Sequence, residues 1–311
     1  MIYSDKRILV TGAAGYIGRQ VCAALAAENW VIGTDIRPAE LPCELVQMDV
    51  RDPQLETLLR AQRITHVVHL AAVLGDSGDP QRDYDIDVNG STNVVDACIA
   101  AGVRHLTVTS SGAAYGYHAD NPPWISETDP LRGNDSYPYS RHKRLVEEML
   151  AERRQQHPQL AQLILRPGTV LGAGTRNLIT NLFEKKVMLA LRGAVSPFVF
   201  IWDQDVVRII VRGVESGATG AYNLAGDGAL PLRELAHLLG KPCLVLPPTL
   251  VRLLLQIGQR LGLTRYGPAQ LDFLRYRPVL DNQRLKTIFG YTPQLTSAQV
   301  FRLWRDHHRE Q

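Results

Sequence analysis

The 311-residue chain has little that would support a disulfide framework or a metal centre. Its four cysteines, Cys22, Cys43, Cys98 and Cys243, are widely spaced and form no Cys-x-x-Cys pair. Disulfide-stapled domains and zinc modules carry cysteines at short, paired spacings. We therefore expect no disulfide, no metal, and a reducing, cytoplasmic environment.

Charge of one sign is also scarce. The chain has 34 lysines and arginines against 31 acidic residues, a net charge of +3, and no long run of either sign. Because nucleic-acid-binding domains carry strong basic patches, we expect no nucleic-acid partner.

The chain lacks an apolar run long enough to span a membrane. Its most apolar later stretch, LPPTLVRLLLQIGQRLGL at 246–263, is interrupted by Arg252, Gln256, Gln259 and Arg260. That pattern predicts an amphipathic helix that covers a core. The start of the chain, MIYSDKRILVTG, enters a predicted strand almost at once and leaves no room for a signal peptide. We expect no membrane partner.

What the chain does have is a regular alternation of short apolar runs and helical segments. Strands that alternate with helices form parallel sheets with right-handed crossovers. The sequence therefore predicts an α/β fold with a doubly wound, Rossmann-type sheet, whose first strands lie at 7–12, 30–35, 43–49, 66–72 and 105–111.

Beyond residue 174 helical segments dominate, separated by proline and glycine, with two strand-like returns at 197–202 and 220–226 that we expect to rejoin the sheet. We predict two units: a dinucleotide-binding domain of residues 1–174 plus 197–226, and a smaller, mainly helical substrate-binding lobe of residues 175–196 plus 227–311.

A glycine-rich segment, VTGAAGYIG, joins the first strand to the first helix. In that context Gly12 permits a tight turn, Gly15 lets the backbone approach a pyrophosphate, and Gly18 lets helix and strand pack closely. The free N–H groups at the helix start favour an anion. The segment predicts a dinucleotide site.

Acidic residues follow the next two strands. Asp35 ends the second strand, where a carboxylate accepts hydrogen bonds from the adenosine ribose and repels the 2′-phosphate of NADP. This favours NAD, although the nearby Arg37 could receive a phosphate. Asp49, followed by Val50, ends the third strand and could bind the adenine.

The segment SYPYSRHK places Tyr139 four residues before Lys143 at the start of a helical run, so both side chains lie on one face. A free phenol titrates near pH 10, and a nearby ammonium together with an oxidised nicotinamide stabilises the phenolate. Such a tyrosine can take a proton from a substrate hydroxyl as hydride leaves for a cofactor. Ser111 ends the fifth strand and could orient the substrate oxygen, whereas Ser110 points to the other side of the strand.

These motifs together resemble the extended short-chain dehydrogenase/reductase family, its NAD-dependent epimerase/dehydratase group. The matching segments, in the family's order across about 220 residues, are TGAAGYIG, Asp35, MDVRDP, HLAA, SSGAAYG, YPYSRHK, LRPGTVLG and DQDVVRII. The resemblance implies a catalytic trio of Ser111, Tyr139 and Lys143, with Ser111 chosen because it precedes the tyrosine of Tyr115-Gly116 by four residues.

The resemblance also implies a cofactor site and a dimer. Lys143 would bind the nicotinamide ribose, and family habit suggests a homodimer through the helices at 91–102 and 139–154. The implied cofactor-binding residues are Gly12, Gly15, Tyr16, Ile17, Gly18, Asp35, Ile36, Arg37, Asp49, Val50, Leu70, Ala71, Ala72, Asp87, Tyr139, Lys143, Pro167 and Gly168.

The chain departs from the family pattern at two positions near the reaction centre. Asp87 stands where the family usually has asparagine, with Asn89 a shifted equivalent or a helix-start residue. Gly112 and Ala113 replace the Asp-Glu pair of the dehydratase branch and cannot act as acid or base, which disfavours a dehydratase.

The substrate side departs as well. Family epimerases carry an arginine before the DQDVV helix that pairs with the substrate diphosphate, and here Arg192 is the nearest candidate but lies further back. Thr169 replaces a frequent asparagine. Phe198, Phe200 and Trp202 are expected in the core, or else shape a less polar substrate pocket. The segment 265–278 is expected to be a solvated helix face, although its arginines could hold a phosphate.

Three functions follow as hypotheses. The first is an NAD-dependent epimerase that oxidises a sugar-nucleotide hydroxyl, rotates the ketone and returns the hydride to the other face. The second is an NAD(P)-dependent dehydrogenase or reductase that acts on a less polar alcohol or ketone. The third is a dinucleotide-sensing regulator, which the intact trio argues against. Ser111, Thr169 and Arg192 are the candidate substrate-binding residues.

Overall fold

The computed structural model describes residues 5–73, 77–264, 267 and 270–309. Within these residues the strands, in chain order, are β1 Arg7–Thr11, β2 Trp30–Asp35, β3 Glu44–Gln47, β4 His66–His69, β5 His105–Thr109, β6 Ala161–Pro167, β7 Thr169–Leu171, β8 Met188–Leu191, β9 Pro197–Phe198, β10 Phe200–Trp202, β11 Gly220–Leu224, β12 Leu230–Pro231 and β13 Cys243–Leu246.

The helices of the same residues are α1 Tyr16–Ala26, α2 Leu55–Ala61, α3 Pro80–Tyr84, α4 Gly90–Ala101, α5 Pro138–Gln156, α6 Leu178–Glu184, α7 Asp203–Ser216, α8 Leu232–Leu239, α9 Pro248–Arg260, α10 Gln270–Arg275, α11 Gln283–Thr287 and α12 Ser297–Arg309. A π-helical turn, Asp85–Asn89, leads into α4, and a 3₁₀ turn, Gly112–Tyr115, follows β5.

Seven of the strands form one parallel sheet in the order β11-β6-β5-β4-β1-β2-β3. Both faces are covered, α1 and α7 packing on one side and α2, α4 and α5 on the other. A parallel sheet buried on both faces requires continuous apolar strands, which explains why Ile8, Leu9 and Val10 in succession are fully buried. The predicted Rossmann-type fold is confirmed.

The strand order reverses at β1, which lies between β2 and β4. The loops that leave β1 and β4 therefore meet at the carboxyl edge of the sheet and open a crevice there. This is the edge at which Gly12, Ala71, Ser111 and Lys143 come together.

The expected return of both later strands to the sheet is right for one and wrong for the other. β11 pairs with β6 in the main sheet, but β9 pairs with β12 and β10 with β7 in separate two-stranded ribbons. The physical reason is packing: Phe198 and Phe200 are fully buried against Phe183 of α6 and Phe301 of α12. The expectation of core roles for these two phenylalanines is confirmed.

The segment 246–263 contains a helix, as predicted, and this helix is α9. Of its residues only Val251 is buried, so α9 covers the core with one narrow side. Among the described residues, none of the helices combines the length and apolar character needed to cross a bilayer.

Candidate active site

The glycine loop connects β1 to α1 in a shape that admits only glycine at two of its positions. Gly12 has φ +69°, and a Cβ there would lie 2.8 Å from the amide nitrogen of Ala71 in the loop after β4. A Cβ on Gly18 would overlap the carbonyl oxygen of Gly12. Gly15 caps α1 and makes no side-chain capping bond, so the cradle above the first turn of α1 consists of backbone.

The adenosine end of the predicted site is held together by Asp35. Its carboxylate, only 7 % exposed, accepts the N–H of Ala14 at 3.0 Å and the N–H of Arg37 at 3.0 Å. The Arg37 side chain is 65 % exposed and can turn toward a ligand. Ile36 is exposed beside it. Asp35 thus ties the glycine loop to the end of β2.

Tyr16 and Ile17 begin α1. The Tyr16 hydroxyl donates to the Asp203 carboxylate at the start of α7, and burial together with this bond raises the pKa of Tyr16 to about 12. Ile17 packs partly against the core. Both residues anchor the loop to the protein.

Asp49 and Val50 sit differently. The Asp49 carboxylate accepts the backbone N–H of Arg51 at 2.9 Å and two bonds from its guanidinium, which lower the pKa of Asp49. Arg51 also binds Asp85. The Val50 side chain is buried in the core, so only the Asp49–Arg51 pair is open to solvent at this part of the predicted site.

Tyr139 and Lys143 lie in the first turns of α5, which begins with Pro138 at its first position. The Lys143 ammonium is 5.6 Å from the centre of the Tyr139 ring and donates to the Thr109 carbonyl oxygen at 3.2 Å. Thr109 is the last residue of β5. Lys143 therefore holds the tyrosine helix against the carboxyl end of a central strand, with its positive charge beside the phenol.

Ser111 caps the 3₁₀ turn after β5, where its hydroxyl accepts the N–H of Ala113 at 3.1 Å. The carbonyl oxygen of Ala113 in turn accepts the Ser140 hydroxyl at 2.6 Å. Ser140 follows Tyr139, so this bond joins the serine turn directly to the start of α5. Ser110 is buried and faces the other way, donating to Glu147 at 2.5 Å.

Beneath these residues runs a buried ion pair that the sequence analysis missed. The Arg166 guanidinium donates to both carboxylate oxygens of Glu147, at 2.6 to 3.0 Å, and to the Tyr115 hydroxyl at 2.7 Å. The Tyr115 hydroxyl donates to Asn223 of β11 at 2.8 Å. Burial opposes the charge, yet the bonds to Glu147 raise the pKa of Arg166 above its usual value. This floor links α5, β6, β11 and the 3₁₀ turn.

Asp87 was expected near the cofactor, but its carboxylate oxygens contact other groups of the protein. One carboxylate oxygen accepts the Val73 N–H at 2.8 Å, and the other lies 2.9 Å from Nδ1 of His142 on α5. Both side chains are 4 % exposed. Asp87 thus connects the loop after β4 to the tyrosine helix, a positioning role that the sequence alone did not indicate.

His69 at the end of β4 lies between the Thr11 hydroxyl, at 2.7 Å, and the Ser91 hydroxyl, at 3.0 Å. Burial and the Lys143 ammonium lower the pKa of His69 to about 3. His69 is therefore neutral at neutral pH and holds the ends of β1 and β4 at the crevice. The loop it supports contains Leu70, Ala71 and Ala72.

On the opposite side of the crevice, Gly168 separates β6 from β7, and a Cβ there would lie 2.8 Å from a methyl group of Val199. Pro167 is the last residue of β6, and Thr169 donates its N–H to the Val199 carbonyl oxygen at 3.1 Å. These three residues contribute backbone groups, and no charged side chain, to this side of the crevice.

Two arginines of the substrate side behave in opposite ways. Arg192 is exposed after β8. Arg277 lies with its guanidinium carbon 3.9 Å from the centre of the Phe198 ring and 4.5 Å from that of Phe273. Its Nη1 is buried and has no hydrogen-bond partner among the described residues. Burial lowers the pKa of Arg277, partly offset by Tyr117.

The position of Arg277 corrects the expectation of a solvated helix face. Within 265–278, residues 265, 266, 268 and 269 lie outside the described part of the chain, and α10 is short. Phe273 of α10 forms an aromatic cluster with Tyr117 and Tyr137, with ring centres 5.1 to 5.5 Å apart. Tyr137 caps α5. The cluster therefore spans the gap between Arg277 and the start of the tyrosine helix.

Comparisons with known proteins identify the family and the fold. The model of the NAD-dependent epimerase/dehydratase family matches residues 8–225. An uncharacterised protein of Mycobacterium tuberculosis is 25 % identical over 95 % of this chain and 82 % of its own length. The N-acetyl-alpha-D-glucosaminyl-diphospho-ditrans,octacis-undecaprenol 4-epimerase of Escherichia coli O157:H7 is 29 % identical over 58 % of this chain and 54 % of its own.

A similar fold has been solved. The structure of the UDP-glucose 4-epimerase of Thermus thermophilus, in complex with NAD, superposes with a TM-score of 0.76 at 25 % identity, covering 97 % of this chain and 99 % of that one.

Proposed function

Because the chain belongs to the NAD-dependent epimerase/dehydratase family, we propose that it is an epimerase-type oxidoreductase that acts at a hydroxyl group of a sugar nucleotide. The observation that carries the proposal is the Lys143 ammonium. It is fixed to the Thr109 carbonyl at the carboxyl edge of the sheet and lies 5.6 Å from the Tyr139 ring.

NAD is the cofactor of this family, and the residues at the crevice fit it. Side chains at positions 12 and 18 would collide with backbone, so the loop keeps glycine there. Because no side chain caps the start of α1, its backbone N–H groups can bind a pyrophosphate. Asp35 stands where the adenosine ribose would lie, and its negative charge favours NAD over NADP. When bound, NAD supplies the acceptor and donor of hydride.

The protein's own part in the reaction is proton transfer and orientation. Tyr139 takes the proton of the substrate hydroxyl and later returns one to the oxygen. Lys143 places its ammonium 5.6 Å from the centre of the Tyr139 ring, where it stabilises negative charge that develops on the phenol oxygen during the transfer. Ser111, on the turn joined to α5 through Ser140, orients the substrate oxygen. Epimerisation further requires that the oxidised sugar presents its second face before the proton and hydride return.

The substrate class is inferred from Arg277. The similar proteins named above include epimerases of UDP-glucose and of an undecaprenol diphosphate-linked sugar, which have in common a sugar joined to a diphosphate. A buried guanidinium whose Nη1 lacks a partner among the described residues suits such an anion. Arg277 packs on Phe198, which lies in the stretch where family epimerases carry their diphosphate-binding arginine, so it supplies a cation in that region from a different part of the chain.

The second candidate is a dehydrogenase or reductase of a less polar alcohol. The same trio would serve it, and the observation that favours it is the substitution pattern of the substrate side. Thr169 occupies the position of the family's frequent asparagine. Ser196 and Pro197 occupy the stretch where family epimerases carry the diphosphate-binding arginine. Gly112 and Ala113 weigh against a dehydratase in either case.

The test is to assay the purified protein against a panel of UDP-sugars while following NADH absorbance, after extraction and quantification of any nicotinamide cofactor carried through purification. An epimerase converts one sugar to its epimer, retains its cofactor and accumulates no NADH. Steady NADH production from an alcohol, with no epimer formed from any UDP-sugar, would support the second candidate and contradict the first.

A further inference from the structure

The helix α9 carries an apolar stripe on its outer side. The exposed fractions are 41 % for Leu250, 51 % for Leu253, 53 % for Leu254, 46 % for Ile257 and 65 % for Leu261. These residues follow the spacing i, i+3, i+4, i+7 and i+11, so they form one continuous strip along the helix. Scattered exposed apolar residues are common, but a contiguous strip of this kind marks an interaction site.

The inner side of α9 already packs against an apolar cluster of the protein. Val251 is buried with Leu191 and Leu271, and Leu255 packs partly against the same cluster. The outer stripe is therefore a second apolar side of the helix, beyond the one that the fold uses.

The segments next to the stripe are mainly basic, and Asp272 of α10, the helix whose Leu271 packs on Val251, is an acidic residue beside them. Between Glu234 and Asp272 the sequence contains no aspartate or glutamate, while Arg252 and Arg260 are exposed on α9 itself. β8 pairs with β13, the strand that leads into α9, and the segment from Lys185 to Trp202 has no acidic residue either.

That neighbouring segment repeats the combination of exposed apolar and basic side chains. Lys185, Lys186 and Arg192 are exposed there, and so are Val187, 47 %, and Val195, 65 %. Exposed leucines on a helix that also carries exposed arginines, beside a segment with exposed lysines, are complementary to a bilayer surface that carries anionic headgroups.

We propose that α9 docks the protein on an anionic lipid membrane, lying parallel to the surface with its outer leucines at the boundary of headgroups and acyl chains. The helix is about 20 Å long, and such helices enter the bilayer by about 5–10 Å without crossing it. This departs from the expectation, drawn from the absence of a spanning segment, that the protein has no membrane partner. It does not depend on the proposed catalytic function.

The experiment is co-sedimentation of the full chain with vesicles of phosphatidylcholine, with and without phosphatidylglycerol. We expect binding to the anionic vesicles, weakened at least about tenfold on neutral vesicles or in high salt, because basic side chains near the surface contribute electrostatically. Failure to sediment with either kind of vesicle would overturn the proposal.

Two variants locate the contact. Leu254→Glu and Ile257→Glu place a carboxylate in the stripe at positions that are already half exposed, and each should reduce vesicle binding at least about tenfold. Ile288→Glu is the matched control, since Ile288 is 66 % exposed but belongs to a different part of the surface. Vesicle binding that survives both stripe variants would place the contact elsewhere and refute the assignment to α9.

Light scattering of the same proteins tests whether a second copy of the chain covers the stripe on α9. The resemblance to the family places a dimer contact at 91–102 and 139–154, away from α9. A dimer that Leu254→Glu alone converts to a monomer, without vesicle binding by the parent protein, would make the stripe a protein interface and overturn the proposal. Unchanged circular dichroism and thermal midpoints show that the variants fold.

Discussion

The floor of the crevice and the substrate side above it treat a buried arginine in opposite ways. Arg166 in the floor has its charge met by Glu147 and makes a further bond to Tyr115. Arg277 on the substrate side packs on two phenylalanine rings, with its Nη1 unpartnered among the described residues. Because a charge is costly to bury without a partner, the first arrangement is complete in itself, whereas the second fits the anionic substrate group proposed above.

The largest effect should come from the reacting group itself. Tyr139→Phe removes the proton acceptor while leaving the helix and Lys143 in place, so kcat should fall about 10²–10⁴-fold. Isothermal titration with NAD should show nearly unchanged affinity. Activity that survives this substitution would contradict the proposed mechanism, because that mechanism assigns the proton transfer to the Tyr139 hydroxyl.

The next test breaks the floor. Glu147→Gln leaves the Arg166 guanidinium buried without its counterion, and the free energy of unfolding should fall by about 3–5 kcal/mol. Glu148→Gln is the matched control one residue later, because Glu148 pairs with Arg144 on the exposed side of α5. Its loss should amount to about 0.5 kcal/mol or less. Urea unfolding of both variants compares them, and equal losses would show that the buried pair is not what stabilises the floor.

Stability should also depend on pH through buried histidines of the sheet. Burial lowers the pKa of His69 to about 3 and that of His66 to about 4, whereas an unfolded histidine titrates near 6.5. The unfolded chain therefore binds more protons below pH 6.5, so the stabilisation is complete above that pH and declines toward pH 4 and 3. The expected slope is about 1.4 kcal/mol per pH unit for each histidine.

Urea unfolding at several values between pH 7 and 4 measures that slope. His66→Gln should reduce the slope by about 1.4 kcal/mol per pH unit, the contribution of one proton. His157→Gln removes a partly exposed histidine after α5 and serves as the control. A stability that does not change over this range would show that the histidines are not buried as described.

The smallest effect is expected on the substrate side, from removal of the Arg277 charge. Arg277→Met keeps the apolar packing against Phe198 and Phe273 but removes the charge, so KM for a UDP-sugar should rise about tenfold or more with little loss of stability. Arg192→Met tests the exposed alternative and should change KM less. If Arg192→Met has the larger effect, the diphosphate is held where the family pattern first suggested.

The parts of the protein that follow from local pattern could be predicted from the sequence. The strands, the glycine turn and the placement of Tyr139 and Lys143 on one helix depend on spacings of a few residues. The Rossmann-type sheet and its ligand edge then follow from the alternation of strands and helices.

What the sequence did not reveal depends on partners far apart in the chain. Asp87 and His142 are 55 residues apart, and Tyr115 and Asn223 are 108 apart, so no local motif announces either contact. The segment 265–278 was assigned to a solvated face because it is rich in arginine and tyrosine, whereas Arg277 packs on the rings of Phe198 and Phe273. Residues 197–202 have the pattern of a buried strand, but that pattern does not say which sheet a strand joins.

The bond from the Ser140 hydroxyl to the Ala113 carbonyl has a consequence for how new substrates are acquired. It fixes the spacing between the serine turn and the tyrosine helix through the 3₁₀ turn after β5 and the start of α5, both next to the seven-stranded sheet. Under the proposed function, replacements around Arg277 would therefore alter which molecule is recognised while this bond keeps Ser111 and Tyr139 at their spacing. Divergent descendants of this chain would inherit the chemistry intact while their specificity drifts.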